Sequence, residues 1–284
     1  MKKSKRIDLL FSYLYSAILF VIFAGPFIWM FITSISSQVE LTAVPLHWFP
    51  ENPTFKNYVD LITGNSTNMV IRGFMASVRN SIVISVLTTA ICLFLGSLAA
   101  YAFSRINFKG KQPMLLAVLL IQLLPTIAII IPLYLLINSA GLMDTQLGLI
   151  IVYSSFTLPY AIWAMKGYFD TIPFSLEESA AIDGCTRLGI LWHIVLPLAK
   201  PGLIATAIFS ILNNWSEFLL AVVFTSTAAT KTIPVLISEF QGKYAIDYSL
   251  VAAGGVLASI PPIIFAFLTA KQLIGGIAAG SIKG

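Results

Sequence analysis

The sequence predicts an all-α, polytopic membrane protein with six transmembrane helices, and three observations predict it. Of the 284 residues, 58% are hydrophobic and only 10% are charged, whereas soluble domains carry about a quarter of charged residues. The mean hydropathy of +0.90 leaves too few charged side chains to coat a soluble surface, so the apolar excess must face lipid. The charges are also clustered, leaving six long stretches between them. Soluble enzymes, disordered tails and secreted disulfide scaffolds are thereby excluded.

The stretches without Asp, Glu, Lys or Arg are 9–39, 80–104, 112–143, 145–165, 201–230 (interrupted only by Glu217) and 248–270. Each exceeds the ~20 residues that a helix needs to cross the hydrocarbon core. None shows the short alternating pattern of a membrane β-barrel. The expected spans are 11–36, 75–104, 113–137, 145–167, 201–226 and 248–272. Around them lie an N-terminal segment 1–10, an external loop 37–74, an internal loop 168–200 and a C-terminal tail 273–284, with residues 75–284 forming the five-span core. The first window follows a Lys-rich start but is too long for a signal peptide and lacks a small-residue cleavage site, so it reads as a retained span.

Orientation follows from the basic residues. With the N-terminus inside, the inner segments hold Lys2, Lys3, Lys5, Arg6, Arg105, Lys109, Lys111, Lys166, Arg187, Lys200, Lys271 and Lys283, twelve against five outside (Lys56, Arg72, Arg79, Lys231 and Lys243). The positive-inside rule therefore expects both termini in the cytoplasm of a multi-pass cytoplasmic-membrane protein. The net charge of +5 is then accounted for by topology and attraction to anionic lipid, and no basic, aromatic-interleaved patch points to nucleic acid. Cys92 falls within a span and Cys185 in an inner loop, so no disulfide is expected. His47 and His193 fall on opposite sides of the membrane, which leaves no paired metal site and no His-based catalytic set.

Two connecting segments are informative. The outer one, about 40–79, carries Pro45, Pro50 and Pro53 among Trp48, Phe49, Phe55 and Tyr58, a pattern expected either to pack on the membrane face or to receive a partner. The inner one, 166–200, reads as helix. Ser175-Leu176-Glu177-Glu178 follows Pro173 and is expected to form a capping box between Ser175 and Glu178. Ala180 and Ala181 propagate a short helix over about 176–183, and Gly184 ends it in the left-handed conformation. A second helical stretch, Arg187 to Val195, is expected to close at Pro197 before the chain re-enters the membrane near Pro201. Two turns of helix are marginal alone and must be held by packing. The small side chains of Ala180, Ala181 and Gly184 permit close approach by a partner.

The run Glu178-Ser179-Ala180-Ala181-Ile182-Asp183-Gly184, with Ile194, Leu196 and Pro197 downstream, resembles the E-A-A-x-x-x-G-x9-I-x-L-P loop of binding-protein-dependent ABC importer permeases. Ser179 is the one departure, a small-for-small exchange. Further echoes resemble the carbohydrate-uptake permeases of the shorter maltose type: Pro50, Pro53, Thr54, Asn57 and Tyr58 in the outer segment, Gly96 to Arg105 (GSLAAYAFSR) at the end of the second span, Asn214-Trp215-Ser216-Glu217-Phe218 in the fifth, and Gly280 to Gly284 at the C-terminus. The resemblance implies a type I ABC importer permease that pairs with a second permease subunit as a heterodimer, sits on two cytoplasmic ATP-binding subunits and receives sugar from an external solute-binding protein. It also implies that Glu178, Ser179, Ala180, Ala181, Asp183 and Gly184 form the coupling helix that docks on the ATPase.

The chain lacks G-x-x-x-x-G-K-[ST], so it has no phosphate-cradling loop. It is expected to be non-catalytic and to hold no cofactor, with ATP and magnesium bound by the partner subunits. A bulky residue at Ala180 or Gly184 is expected to spare insertion but uncouple hydrolysis from uptake. Glu217 is the acidic group inside a span, where an ionisable side chain is a functional hypothesis by default. Asn213, Asn214, Trp215 and Glu217 can either line a sugar path, through amide, carboxylate and ring stacking, or bond neighbouring helices. Pro125 and Pro132 are expected to kink the third span. The alternatives are an importer permease for a non-sugar solute, an ion-coupled carrier, for which internal repeats and several buried acids are missing, and an intramembrane enzyme, for which H-E-x-x-H and G-x-S-x-G are missing.

Overall fold

The computed structural model describes the backbone of residues 2–45, 47–241 and 246–281, and the side chains of 11–45, 47–241 and 246–269. The expectations that rest on Lys2, Lys3, Lys5, Arg6, Lys243, Lys271, Lys283 and the ending 280–284 therefore lie outside the side chains described. In chain order the helices are α1 (Lys2–Ile35), α2 (Gln38–Leu41), α3 (Lys56–Thr63), α4 (Met69–Arg72), α5 (Phe74–Arg105), α6 (Lys111–Ile121), α7 (Thr126–Ser139), α8 (Gln146–Asp170), α9 (Ser175–Ile182), α10 (Arg187–Ile190), α11 (Leu196–Leu198), α12 (Lys200–Ser216), α13 (Leu219–Phe224), α14 (Ile233–Ser238) and α15 (Tyr248–Ser281). A π-helical turn, Leu191–Val195, joins α10 to α11. Apart from an isolated bridge between Gln241 and Ile246, the described residues form no strand pairing.

Four stretches are long and apolar enough to cross a bilayer: Phe11–Ile35, Phe74–Arg105, Gln146–Asp170 and Tyr248–Thr269. Two more reach that length only as bent pairs, α6 with α7 at 96° and Arg187–Leu198 with α12 at 79°. The third span, expected to be kinked, is thus sharply broken. Pro125 has no N–H to give, and the chain turns instead through short bonds from Gln122, Leu123 and Leu124 to the carbonyls three residues back. Pro132 lies inside α7. The fifth span, expected over 201–226, is divided as well: Glu217 is extended, with φ −69° and ψ 127°, between α12 and α13.

The chain folds as two compact units, residues 1–75 with 236–260 and residues 76–235 with 261–284. In the first, Ser37 and Glu40 form a capping box at α2. The Glu40 carboxylate accepts from the Ser37 amide at 3.0 Å and, through its other oxygen, from the amides of Glu51 and Asn52 at 3.1 and 3.3 Å. These bonds, the Ser37 amide foremost, hold its pKa below the ordinary carboxylate value. The outer segment is further tied by Thr54 N–H to the Ile35 carbonyl at 2.8 Å and by Asn57 Nδ2 to Ser249 Oγ at 3.0 Å. It is a bonded structure and not a loose connector.

The second unit holds two apolar clusters. One gathers Ile84, Ile137, Leu149, Tyr153, Leu220 and Phe224 from α5, α7, α8 and α13. The other gathers Ala100, Tyr101, Met165, Phe169, Ala180, Ile190 and Val195, and so seats α9 and α10 on the ends of α5 and α8. Close approach is written into small residues. A Cβ on Gly96 would lie 3.0 Å from that of Ala161, and one on Gly202 would enter the ring of Tyr168.

At the loop before α8, Asp144 adopts a left-handed φ of 54°. Its Oδ1 accepts from the amides of Ser226 and Thr227 at 2.8 and 3.1 Å and from the Thr230 hydroxyl. Burial pushes the carboxyl upward, but the donors outweigh it and bring the pKa down to about 2. A depressed carboxylate stabilises the folded chain above its unfolded value near 3.8, and that contribution is lost as pH falls through about 2. Asp144→Ala is therefore expected to lower stability by roughly 1–2 kcal/mol. Thermal melts of the detergent-solubilised chain should show a gap to the parent that is constant from pH 7 to pH 5 and closes under stronger acid.

Candidate functional site

The helix α9 begins at Ser175 with Phe174 at its cap, and no side chain caps it. The expected Ser175–Glu178 box is not formed. Instead the amides of Glu177 and Glu178 bond the Phe174 carbonyl at 2.9 and 3.1 Å, and Glu177, not Glu178, is the anchored acid. Glu177 is 3% exposed, receives the Arg105 Nε donor and accepts from Tyr101 Oη at 3.0 Å. A tertiary ion pair has overridden a local cap, because turning Glu177 inward places Ser175 inside the first turn.

The end of α9 follows the sequence. Gly184 has φ +84°, Gly184 N–H bonds the Ala181 carbonyl at 3.1 Å, and Cys185 N–H bonds that of Ala180 at 3.0 Å. These two bonds make a Schellman closure. The stretch after it does not end at Pro197, since α11 continues to Leu198. The π turn widens the helix so that Leu196 N–H reaches the Leu191 carbonyl, and a proline without an N–H is accommodated next to it.

The six sequence-predicted coupling residues divide. Ala180 is 8% exposed and packs within the second apolar cluster, so a bulky residue there would push α9 off its own chain. Glu178, Ser179, Ala181, Asp183 and Gly184 are exposed. Between them Ile182 is 86% exposed, with Leu176 at 45% and Leu188 at 59%. These are large apolar side chains left open on a polar connector. Ile182 was not singled out from the sequence, although an isoleucine one residue before an Asp-Gly helix end is a visible signal.

The second constellation lies between α8 and α12. A cavity of about 180 Å³ is lined by Thr126, Tyr153, Phe156, Thr157, Tyr160, Phe209, Ser210, Asn213, Asn214, Glu217 and Leu220. Three of the four predicted pathway residues meet there. Trp215 does not: it lines a separate apolar cleft with Ile82, Val86, Pro261 and Phe265. Asn214 is also a strut, accepting from Thr157 Oγ1 at 2.9 Å and donating to Thr89 Oγ1 at 3.4 Å. Glu217 accepts from the amides of Leu220 and Ala221 at 2.9 and 3.1 Å, which satisfies the start of α13 inside an apolar region. Ser210 is 1% exposed, and its hydroxyl has no partner among the described residues. Of the buried side-chain hydroxyls left without a partner among the described residues, it is the one that lines this cavity. Tyr160 and Phe209 close one side with ring centroids 4.3 Å apart. Among the described residues no cluster of His, Cys, Asp and Glu is arranged to hold a metal.

Residues 92–276 match the family model described as binding-protein-dependent transport system inner membrane component. The chain is 33% identical over 259 residues to the sulfoquinovosyl glycerol transport system permease protein SmoH of Agrobacterium fabrum, covering 91% of this chain and 88% of that one. It is 35% identical over 261 residues to the trehalose transport system permease protein SugB of Mycobacterium tuberculosis, covering 91% and 92%. Among solved structures, a chain of a bacterial ABC transporter involved in the import of the acidic polysaccharide alginate superposes with a TM-score of 0.73 at 24% identity, covering 95% of this chain and 97% of that chain. With a family model spanning more than half its length and relatives of this identity aligned almost end to end, the chain belongs to the binding-protein-dependent transport system inner membrane component family.

Proposed function

We propose that this chain is a permease subunit of an ATP-driven importer that carries a sugar or oligosaccharide across the cytoplasmic membrane. In this reading both termini and α9 face the cytoplasm. The subunit pairs with a second, distinct permease, receives its substrate from an external solute-binding protein, and holds neither ATP nor magnesium itself. Two cytoplasmic ATP-binding subunits supply the energy. The observation that carries the proposal is α9: two turns of helix, closed by a left-handed glycine, exposing Ala181, Asp183 and Ile182 while Glu177 and Ala180 are locked into the chain. Its small, partly apolar outer face suits insertion into a cleft, and its buried face suits transmission of a push. The sugar assignment is supported by the substrates named for the relatives and by the hydroxyl, amide and aromatic lining of the cavity.

The best probe of docking is Ala181, because it is exposed and its replacement leaves the internal seat of Ala180 and the turn at Gly184 intact. In Ala181→Trp the chain is expected to insert and to keep its partner permease while the ATP-binding subunits are lost from affinity-purified complexes. Full retention of those subunits, with normal uptake, contradicts the docking role.

For the cavity, Asn213→Ala and Ser210→Ala each remove one neutral hydrogen-bonding group. Each is expected to raise KM for uptake about two- to ten-fold, with ATPase stimulation by the loaded binding protein retained. Uptake kinetics in vesicles check this directly, and unchanged KM for the transported sugar in the double variant argues that the residues serve packing alone. Glu217→Ala is the less clean probe because it also uncaps α13.

A further inference from the structure

Among the described ion pairs, His47–Glu51, Lys56–Asp60 and Lys166–Asp170 each join residues four apart. Arg105–Glu177 joins residues distant in sequence, and its side chains are 9% and 4% exposed. A buried pair of this kind adds little stability over an apolar replacement of the same shape, because both charges must be desolvated. What it provides is geometry. The planar guanidinium directs its donors along fixed vectors, and here each of its three nitrogens is used: Nε to Glu177, Nη2 to the carbonyls of Phe169 and Ile172 at 2.8 and 2.9 Å, and Nη1 to Ser104 Oγ at 3.3 Å. The Phe174 ring lies 5.8 Å from the guanidinium carbon. Tyr101, one turn earlier on α5, holds the second carboxylate oxygen.

We propose that Arg105 is the positioning residue that locks α9 to the ends of α5 and α8, so that a displacement of α9 passes undiminished into α8 and the cavity it lines. The inference rests on the coupling role of α9. The Phe169 carbonyl belongs to the last turn of α8 and that of Ile172 lies just past its end, and α8 is the helix that carries Tyr153, Thr157 and Tyr160 into the cavity. Glu177 stands in the first turn of α9, buried beside the exposed Glu178 and one turn before the exposed Ala181. One side chain therefore touches the receiver of force, the span that moves and the span that supports both. The GSLAAYAFSR run acquires a purpose in the same terms: Gly96 lets α5 approach α8, Ala100 packs beneath, and Tyr101 and Arg105 grip Glu177.

The test uses the complete transporter, with both permeases, the ATP-binding subunits and the binding protein, in proteoliposomes, with sugar uptake and ATP hydrolysis measured together. In Arg105→Lys and Glu177→Gln the ATP-binding subunits remain bound and hydrolysis continues. The ATP consumed per sugar imported is expected to rise by about tenfold, within the usual range of a coupling free energy. The reversed pair, Arg105→Glu with Glu177→Arg, should recover part of the ratio. Parallel loss of hydrolysis and uptake, or an unchanged ratio, overturns the proposal. A second measurement judges the lock apart from docking: spin labels at Cys185 and at Gly167→Cys, in a Cys92→Ala background, report the distance between the end of α9 and α8. A Cβ at Gly167 meets nothing, so the label is tolerated. Arg105→Lys should broaden that distance distribution whatever binds α9, and an unbroadened distribution overturns the lock even if Ala181→Trp confirms docking.

Discussion

In hydrocarbon there is no water to take up a broken backbone hydrogen bond, so every place where a spanning helix stops must be satisfied by the chain itself. This constraint orders the structure. At 122–125 the satisfaction comes from i→i+3 bonds just before Pro125 and at 217–218 from the Glu217 carboxylate, and where α8 leaves the membrane Arg105 does the same. The first two place a polar or special residue in an apolar setting, and all three sit beside the candidate site. Thr126, just past the first break, and Glu217, at the second, both line the polar cavity; Arg105 is the third device and holds α9. The breaks are where the fold departs from a plain bundle, and they are where its buried polar groups gather.

Much of this was legible beforehand because the signals were local. Charge-free windows located the membrane segments, and Gly184 announced a left-handed helix end. The Glu178-to-Pro197 spacing carries the family resemblance within a single loop. What was not legible involved partners distant in sequence. Ser175-x-x-Glu178 reads as a capping box, yet Arg105 lies 72 residues before Glu177, and nothing along the chain states that the two meet. The box that does form, Ser37 with Glu40, carried the same pattern and was overlooked because it lies at the edge of an apolar window.

The candidate site shows the same division. Asn213, Asn214 and Glu217 stand out by polarity within a span, and all three line the cavity; two of them also bond neighbouring segments, Asn214 as a strut and Glu217 as a cap. Trp215 was included for its ring, but at about 100° per residue it points a third of a turn from its neighbours and enters an apolar cleft. Ser210 was missed because a serine in a membrane helix ordinarily bonds the carbonyl one turn back. Only the structure reveals that it does not.

Cys185, exposed immediately after Gly184, offers the most direct measurement of the central claim, that force enters this chain through α9. In the assembled transporter, a short bifunctional crosslinker anchored on Cys185 should capture an ATP-binding subunit, and the yield should change between nucleotide-free and ATP-trapped complexes. Capture of the external binding protein instead, or reaction of Cys185 with an impermeant maleimide from the outside of sealed cells, would contradict the account.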